Sequence, residues 1–293
     1  PPTPPLVLAD RAEQVLALAR QHLPSAKAVT AVDETGGEAR TYSIDDAYIL
    51  KTQRPHKLRP RTSLKKEVVF LQQLEGVEGL NVPKVIGYGH PEPLIEYTLM
   101  TRMPGIAFHN AKLAGDARRQ ALMGLGGMLR RVHSIPQEAL HDSNLFFGDQ
   151  SGVDIRWRMG SVFDDLAEMI HKNEKNWNYP LAPEIIGRRL MRTLPSKKAI
   201  VALHSNPGPE HAFVDPTTGE LTGIIDFGDA YFSHPVNDLR RFRAPADRAA
   251  VLAGYLEGGA LDDDFMAAWR VGCAQSDITA IAFSPELQAD AAE

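Results

Sequence analysis

Near residue 102 the hydrophobic spacing of this chain passes from mainly β-like to mainly helical, and that change limits the folds open to it. Before it, short β-like runs at Ala28 to Val32, Arg40 to Ile44 and Ala47 to Lys51 precede a helical stretch, Leu64 to Leu74. Two more runs follow, at Val85 to Tyr88 and Leu94 to Met100. After Met103-Pro104-Gly105 the spacing turns helical, over residues 117 to 133, 162 to 173, 184 to 194, 246 to 257 and 262 to 274. Strands first and helices later make an α+β chain, with a small N-terminal sheet unit expected over residues 1–101 and a larger, mainly helical unit over 102–293. One compact β island is expected inside the helical half, with strands at Ala199 to Leu203, Ala212 to Asp215 and Leu221 to Ile225. Asp10 followed by Glu13 has the form of a capping box, opening an amphipathic first helix through Val15, Leu18, Ala19 and Leu23.

With 293 residues, 43% of them apolar and 24% charged, the chain is long enough for two packed cores and is not a disordered polymer. Its formal charge of -5 gives no general reason to bind nucleic acid or an anionic membrane surface, and is compatible with a cationic substrate. No stretch approaches the roughly 20 apolar residues of a membrane span, and the first residues lack the basic-then-apolar order of a signal peptide. Cys273 is the sole cysteine, so the chain makes no internal disulfide and fits a reducing cytoplasm. Nothing in the sequence sets an oligomeric state.

Glu67 lies on the apolar stripe of its helix, three residues after Leu64 and four before Leu71. A carboxylate facing a core needs a partner, and Lys51, at the end of a β run, is the candidate. The plainer alternative leaves both solvated. The β island holds a second cluster. Ala212 to Asp215, the turn Pro216 to Glu220, and Leu221 to Ile225 read as an antiparallel hairpin. Pairing Asp215 with Leu221 carries the register back until His211 lies almost opposite Asp226, so two metal-ligand types share one open end. Gly228 lets the chain turn and leaves the Asp226 carboxylate at the strand mouth, with Asp229 close by.

In order and in residues these features resemble the aminoglycoside phosphotransferase family, also called the choline or aminoglycoside kinase group, over almost the whole chain. Lys51 and Glu67 match its nucleotide-positioning Lys-Glu pair, and Gly36-Gly37 falls where its phosphate-covering loop lies. The segment Leu99 to Gly105, with Met100 and Arg102, is similar to the hinge that holds adenine. Arg130-Arg131-Val132-His133 resembles the end of its long helix, Ile224-Ile225-Asp226-Phe227-Gly228-Asp229 its metal-binding Asp-Phe-Gly signature, and His234-Pro235-Val236-Asn237-Asp238-Leu239 its later Pro-x-x-Asp-Leu element. The resemblance implies a two-lobed, protein-kinase-like fold, ATP as phosphoryl donor, Mg²⁺ as metal, and a small-molecule hydroxyl as acceptor.

One motif departs from the family pattern. Where the family reads His-Gly-Asp-x-x-x-x-Asn, this chain reads His204-Ser205-Asn206-Pro207-Gly208-Pro209-Glu210-His211. Asn206 stands at the base position and accepts no proton at neutral pH. His211 stands at the second metal position, where imidazole suits Mn²⁺ better than Mg²⁺. His204 and Glu210 are alternative bases between which the sequence does not choose. The departure leaves two readings, an ATP-dependent kinase of altered loop or a pseudokinase that binds nucleotide or ligand without turnover. Asp164, Asp165 and Glu168 form an acidic group that reads first as a solvated helix face and second as a site for a cationic acceptor. Lys57, Arg59, Arg61, Lys65 and Lys66 read first as a solvated basic face and second as contact to an anionic ligand, Gly124 to Gly127 as close helix packing, and Trp157, Trp177 and Trp269 as core or lobe-surface packing.

Overall fold

The computed structural model describes residues 6–34, 39–54, 63–92, 95–172, 177–194, 199–259 and 262–283. The first helix, α1 (Leu6–Arg20), begins before Asp10, so Asp10 lies within the helix and the expected capping box is not its start. Strands β1 (Val29–Asp33), β2 (Ala39–Ile44), β3 (Tyr48–Gln53), β4 (Val85–Glu92) and β5 (Ile95–Thr101) form one antiparallel sheet in the order β1-β2-β3-β5-β4. Helix α2 (Leu64–Leu74) packs against β3, β4 and β5 with Leu64, Val68, Phe70, Leu71 and Leu74 buried. Its N-terminus is held twice. The Ser63 hydroxyl accepts from the Lys66 N–H, and the buried Glu96 carboxylate of β5 accepts from the N–H groups of Leu64 and Lys65 at 3.2 and 2.7 Å. A carboxylate at this end also opposes the positive pole of the helix.

Helices dominate from residue 115 onward: α3 (Gly115–His133), α4 (Glu138–Asp142), α5 (Gly152–Lys172), α6 (Pro183–Met191), α7 (Val236–Leu239), α8 (Pro245–Leu256) and α9 (Asp263–Phe283). Among the described residues no helix is long and apolar enough to cross a membrane. Close packing explains Gly126 of α3, where a Cβ would lie 1.9 Å from the Val251 carbonyl oxygen of α8. Helix α5 starts ten residues before the expected 162, and the signal was present: Ser151 and Asp154 form a capping box, with the Asp154 N–H on the Ser151 hydroxyl at 3.3 Å. Its buried face is Ile155, Met159, Phe163, Leu166 and Ile170. Trp157 on the same helix is 73% exposed, which corrects its reading as core packing. Lys66 corrects another, since it is buried beneath the Phe146 ring instead of lying on a solvated face. Lys57, Arg59 and Arg61 lie outside the described residues.

The expected single β island is two sheets. Strands β8 (Ala212–Val214) and β9 (Leu221–Ile224) form the hairpin, joined on its other edge by β6 (Ile106–Ala107). Strand β7 (Val201–Leu203) pairs instead with β10 (Tyr231–Ser233). Strands β6 and β10 are two and three residues long, too short to show any period in the sequence.

Candidate active site

The hairpin keeps the expected register at its open end, with Ala212 opposite Ile224, and there the Ile225 N–H donates to the His211 carbonyl at 3.0 Å. His211 and Asp226 therefore meet, Nε2 lying 3.4 Å from Oδ2. Asp226 has a φ of 74°, a left-handed conformation that side-chain-bearing residues seldom adopt and that recurs at functional turns. Turned that way, its other oxygen lies 3.3 Å from the Lys51 ammonium. Lys51 also donates to both oxygens of Glu67, at 2.8 and 3.1 Å. Three elements thus supply the cluster: β3 gives Lys51, α2 gives the fully buried Glu67, and the turn after β9 gives Asp226.

Charge follows from this geometry. The Lys51 ammonium holds the Asp226 carboxyl down at about 2. Burial works against the charge on Lys51, but Asp226 and Glu67 outweigh it and hold the ammonium above its ordinary range. Burial pushes the Glu67 carboxyl above its usual range, against the pull of the Lys51 ammonium.

The loop from His204 to His211 is fixed from below by Asp238 of α7, whose role the sequence did not disclose. Its two oxygens accept the N–H groups of His204 and Ser205, each at 2.8 Å, and His133 donates to it at 3.0 Å. Against the cost of burial, that bond and the neighbouring histidines keep Asp238 below the usual carboxylate range. Ser205 is held at a φ of 83°, its carbonyl accepting from Arg241. His204 donates from Nε2 to the Ile225 carbonyl at 2.8 Å and accepts the Asn206 N–H on Nδ1 at 3.2 Å. Both ring nitrogens face backbone, and burial pushes the ring down to about 4, so His204 is neutral.

His211 donates from Nδ1 to the Asn206 carbonyl at 2.7 Å, since a carbonyl only accepts. In the neutral ring Nε2 then carries a lone pair toward Asp226. Two acceptors 3.4 Å apart fit a cation between them, with one nitrogen and one oxygen donor. Among the described residues no group of three or more His, Cys, Asp or Glu side chains is arranged to hold a metal, so this pair is a partial set of ligands.

The remaining expected residues are placed as follows. Met100 is buried in the core, opposite Ile49. Arg102 donates from its backbone to Ala47 at 2.9 Å and from its guanidinium to Ser43 at 2.9 Å. Gly36 and Gly37 lie outside the described residues. Asp164, Asp165 and Glu168 are exposed on α5, and Asp164 lines a cavity with Arg156, Glu184 and Arg188 that shares no residue with the cavity beside Ser205.

The family model of the phosphotransferase enzyme family matches residues 29–271. The fold is similar to that of an APH(2″) enzyme in complex with GDP and kanamycin, at 17% identity and a TM-score of 0.63, with 93% of this chain and 91% of that one covered. It is similar also to the macrolide 2′-phosphotransferase MphH of Brachybacterium faecium, solved as apoenzyme, at 17% identity and a TM-score of 0.64, over 96% and 93% of the two chains. A third is the streptomycin–ATP ternary complex of APH(2″)-IIa, at 16% identity and a TM-score of 0.61, over 93% and 91%. With its N-terminal antiparallel sheet, its mainly helical remainder and the Lys51, Glu67 and Asp226 cluster, the chain has the kinase-like fold and belongs to the phosphotransferase enzyme family.

Proposed function

We propose that this protein transfers the γ-phosphoryl group of ATP to a hydroxyl of a small molecule. The observation that carries the reading is the Lys51 ammonium held between Glu67 and Asp226, with His211 beside Asp226. Such a cluster positions phosphate oxygens, and phosphoryl transfer depends mainly on positioning and electrostatic stabilisation. In this reading residues 1–101 hold the nucleotide, with adenine along Met100 to Arg102 and Gly36-Gly37 over the phosphates, while residues 102–293 supply the loop and the acceptor side. Asp226 and His211 would hold Mn²⁺ or Mg²⁺, which neutralises phosphate charge when bound. The acceptor oxygen forms the new P–O bond as the bond to the ADP leaving oxygen breaks. Its proton leaves to solvent or to the transferred phosphoryl oxygens, because the Asn206 amide takes none. His204, spent on backbone contacts, positions the loop and is not the base.

Asn206 favours a second reading, nucleotide binding without turnover. The two are separated by one experiment on the full chain. ATP or ADP with Mn²⁺ or Mg²⁺ raises the melting temperature under both readings, and Lys51→Met and Asp226→Ala each remove most of that rise. ATP consumption across a panel of hydroxyl acceptors occurs only under the first. Variants that respond to nucleotide as the parent does would remove Lys51 and Asp226 from the nucleotide site.

A further inference from the structure

A small cavity of about 200 Å³ opens beside the loop that carries Asn206. Ser205 is part of its wall, and so is Asp229, three residues after Asp226, so the cavity borders both arms of the site described above. Three cations from three separate elements face it: Lys66 from α2, Arg158 from α5, and Arg241 from just beyond α7. Asp229 is its one carboxylate among the described residues.

The cations are built in place. Arg158 is clamped by the buried Asp149 at 2.8 and 3.0 Å, and its guanidinium lies 5.1 Å from the centre of the Tyr231 ring. Asp149 is fastened in turn by the Ser233 hydroxyl at 2.5 Å, and Ser233 by Asn237 at 3.0 Å. Arg241 is tied to the Ser205 carbonyl, and Lys66 is buried under Phe146. Burial above all, with Arg241 adding to it, lowers the adjacent Arg240 guanidinium to about 10. A rigid guanidinium fork is the natural partner of a carboxylate or phosphate, and a cavity of this volume accommodates one such group. Phe147, 67% exposed, forms an aromatic lip on which the rest of a ligand can lie.

We propose that this cavity binds an oxyanion of the acceptor, a carboxylate or a phosphate, so that the molecule phosphorylated here is an acidic hydroxyl compound and not a polyamine. The term acceptor rests on the phosphotransfer reading; the anion affinity of the cavity does not. Asp164, Asp165 and Glu168, the group expected to hold a cationic acceptor, are exposed on α5, and none of the three lines this cavity.

The test is calorimetry on the full chain at low ionic strength with gluconate, glucosamine and inorganic phosphate as probes, and ATP as the comparison ligand. Parent protein is set against Arg241→Ala and Lys66→Met. Two variants are needed because Arg241 also braces Ser205, whereas Lys66 reaches the cavity from another element. Gluconate and phosphate bind the parent and glucosamine does not. Each variant weakens gluconate by about 10-fold or more, the scale of one lost charge-assisted contact, while ATP affinity changes by less than about 3-fold. The proposal is overturned if no acid binds in the millimolar range, if glucosamine binds in preference, if gluconate is indifferent to both variants, or if ATP weakens in parallel. Gluconate binding that depends on Arg241 and Lys66 in a protein that neither binds nor consumes ATP keeps the anion cavity and removes the phosphotransfer reading. Phosphorylation of an amine acceptor and of no acidic one keeps the phosphotransfer reading and overturns the assignment of this cavity to the acceptor.

Discussion

Phe70 of α2 stacks on Phe227, with ring centroids 5.0 Å apart and planes 29° from parallel, and both side chains are fully buried. The helix that carries Glu67 and the turn that carries Asp226 therefore share one piece of core. Phe70→Leu is expected to destabilise the protein by about 1 to 3 kcal/mol and to weaken nucleotide binding several-fold. Phe163→Leu, in the separate cluster between α5 and α9, loses comparable stability in urea titrations with nucleotide affinity unchanged. Equal affinities in the two variants would mean that the stack is packing alone.

Ser205 adopts a left-handed backbone that costs an L-residue roughly 1 to 2 kcal/mol, where glycine is unstrained. Replacement by glycine returns that strain and loses about 0.4 to 1 kcal/mol to the freer unfolded chain. Ser205→Gly is therefore expected to leave stability unchanged or raise it by about 1 kcal/mol, whereas Ser205→Val lowers it. Chemical denaturation of the three proteins reads the order directly.

The buried, neutral His204 makes stability depend on pH. In the unfolded chain the ring takes up its proton near 6.5, but in the folded protein burial defers this to about 4. Between those values the unfolded state binds more protons, so stability falls as pH drops from about 6.5 to about 4 and loses nothing further from this group below that. The full loss from this ring is about 3 kcal/mol. A folded His204→Gln variant is expected to show a shallower decline between pH 7 and pH 5 than the parent. An unaltered slope would assign the acid sensitivity to other groups.

Asn206→Asp combined with His211→Asn supplies a proton acceptor and an oxygen ligand at the two altered positions of the loop. With Lys51, Glu67 and Asp226 already assembled, ATP hydrolysis or transfer is expected to rise by about 10²- to 10⁴-fold. Circular dichroism checks the fold and calorimetry the ATP binding. A folded double variant that binds ATP and gains no activity would favour the reading without turnover.

Local signals explain what could be read in advance. Helix α2 matches its expected bounds because an apolar stripe and the Ser63 cap agree over eleven residues. His211 and Asp226 were placed together because an antiparallel register extends predictably from one pair to the next. The approach of Asp226 to Lys51 spans 175 positions in sequence and was reachable only through the family resemblance, while the grip of Asp238 on the loop 33 and 34 residues away had no signal. Both belong to packing between elements, which no local pattern encodes. The early start of α5 is a different failure, since Ser151 and Asp154 announced it locally.

Glu96, a β-strand residue, closes the N-terminus of α2 one turn before Glu67 meets Lys51. Both ends of that turn are thus fastened to the same sheet, Glu96 on β5 and Lys51 on its neighbour β3. A helix anchored in this way cannot swing outward to part the ion pair without first surrendering its own cap. The pair is present with no ligand bound, and an outward swing of α2 would cost the Glu96 bonds together with the Lys51–Glu67 pair.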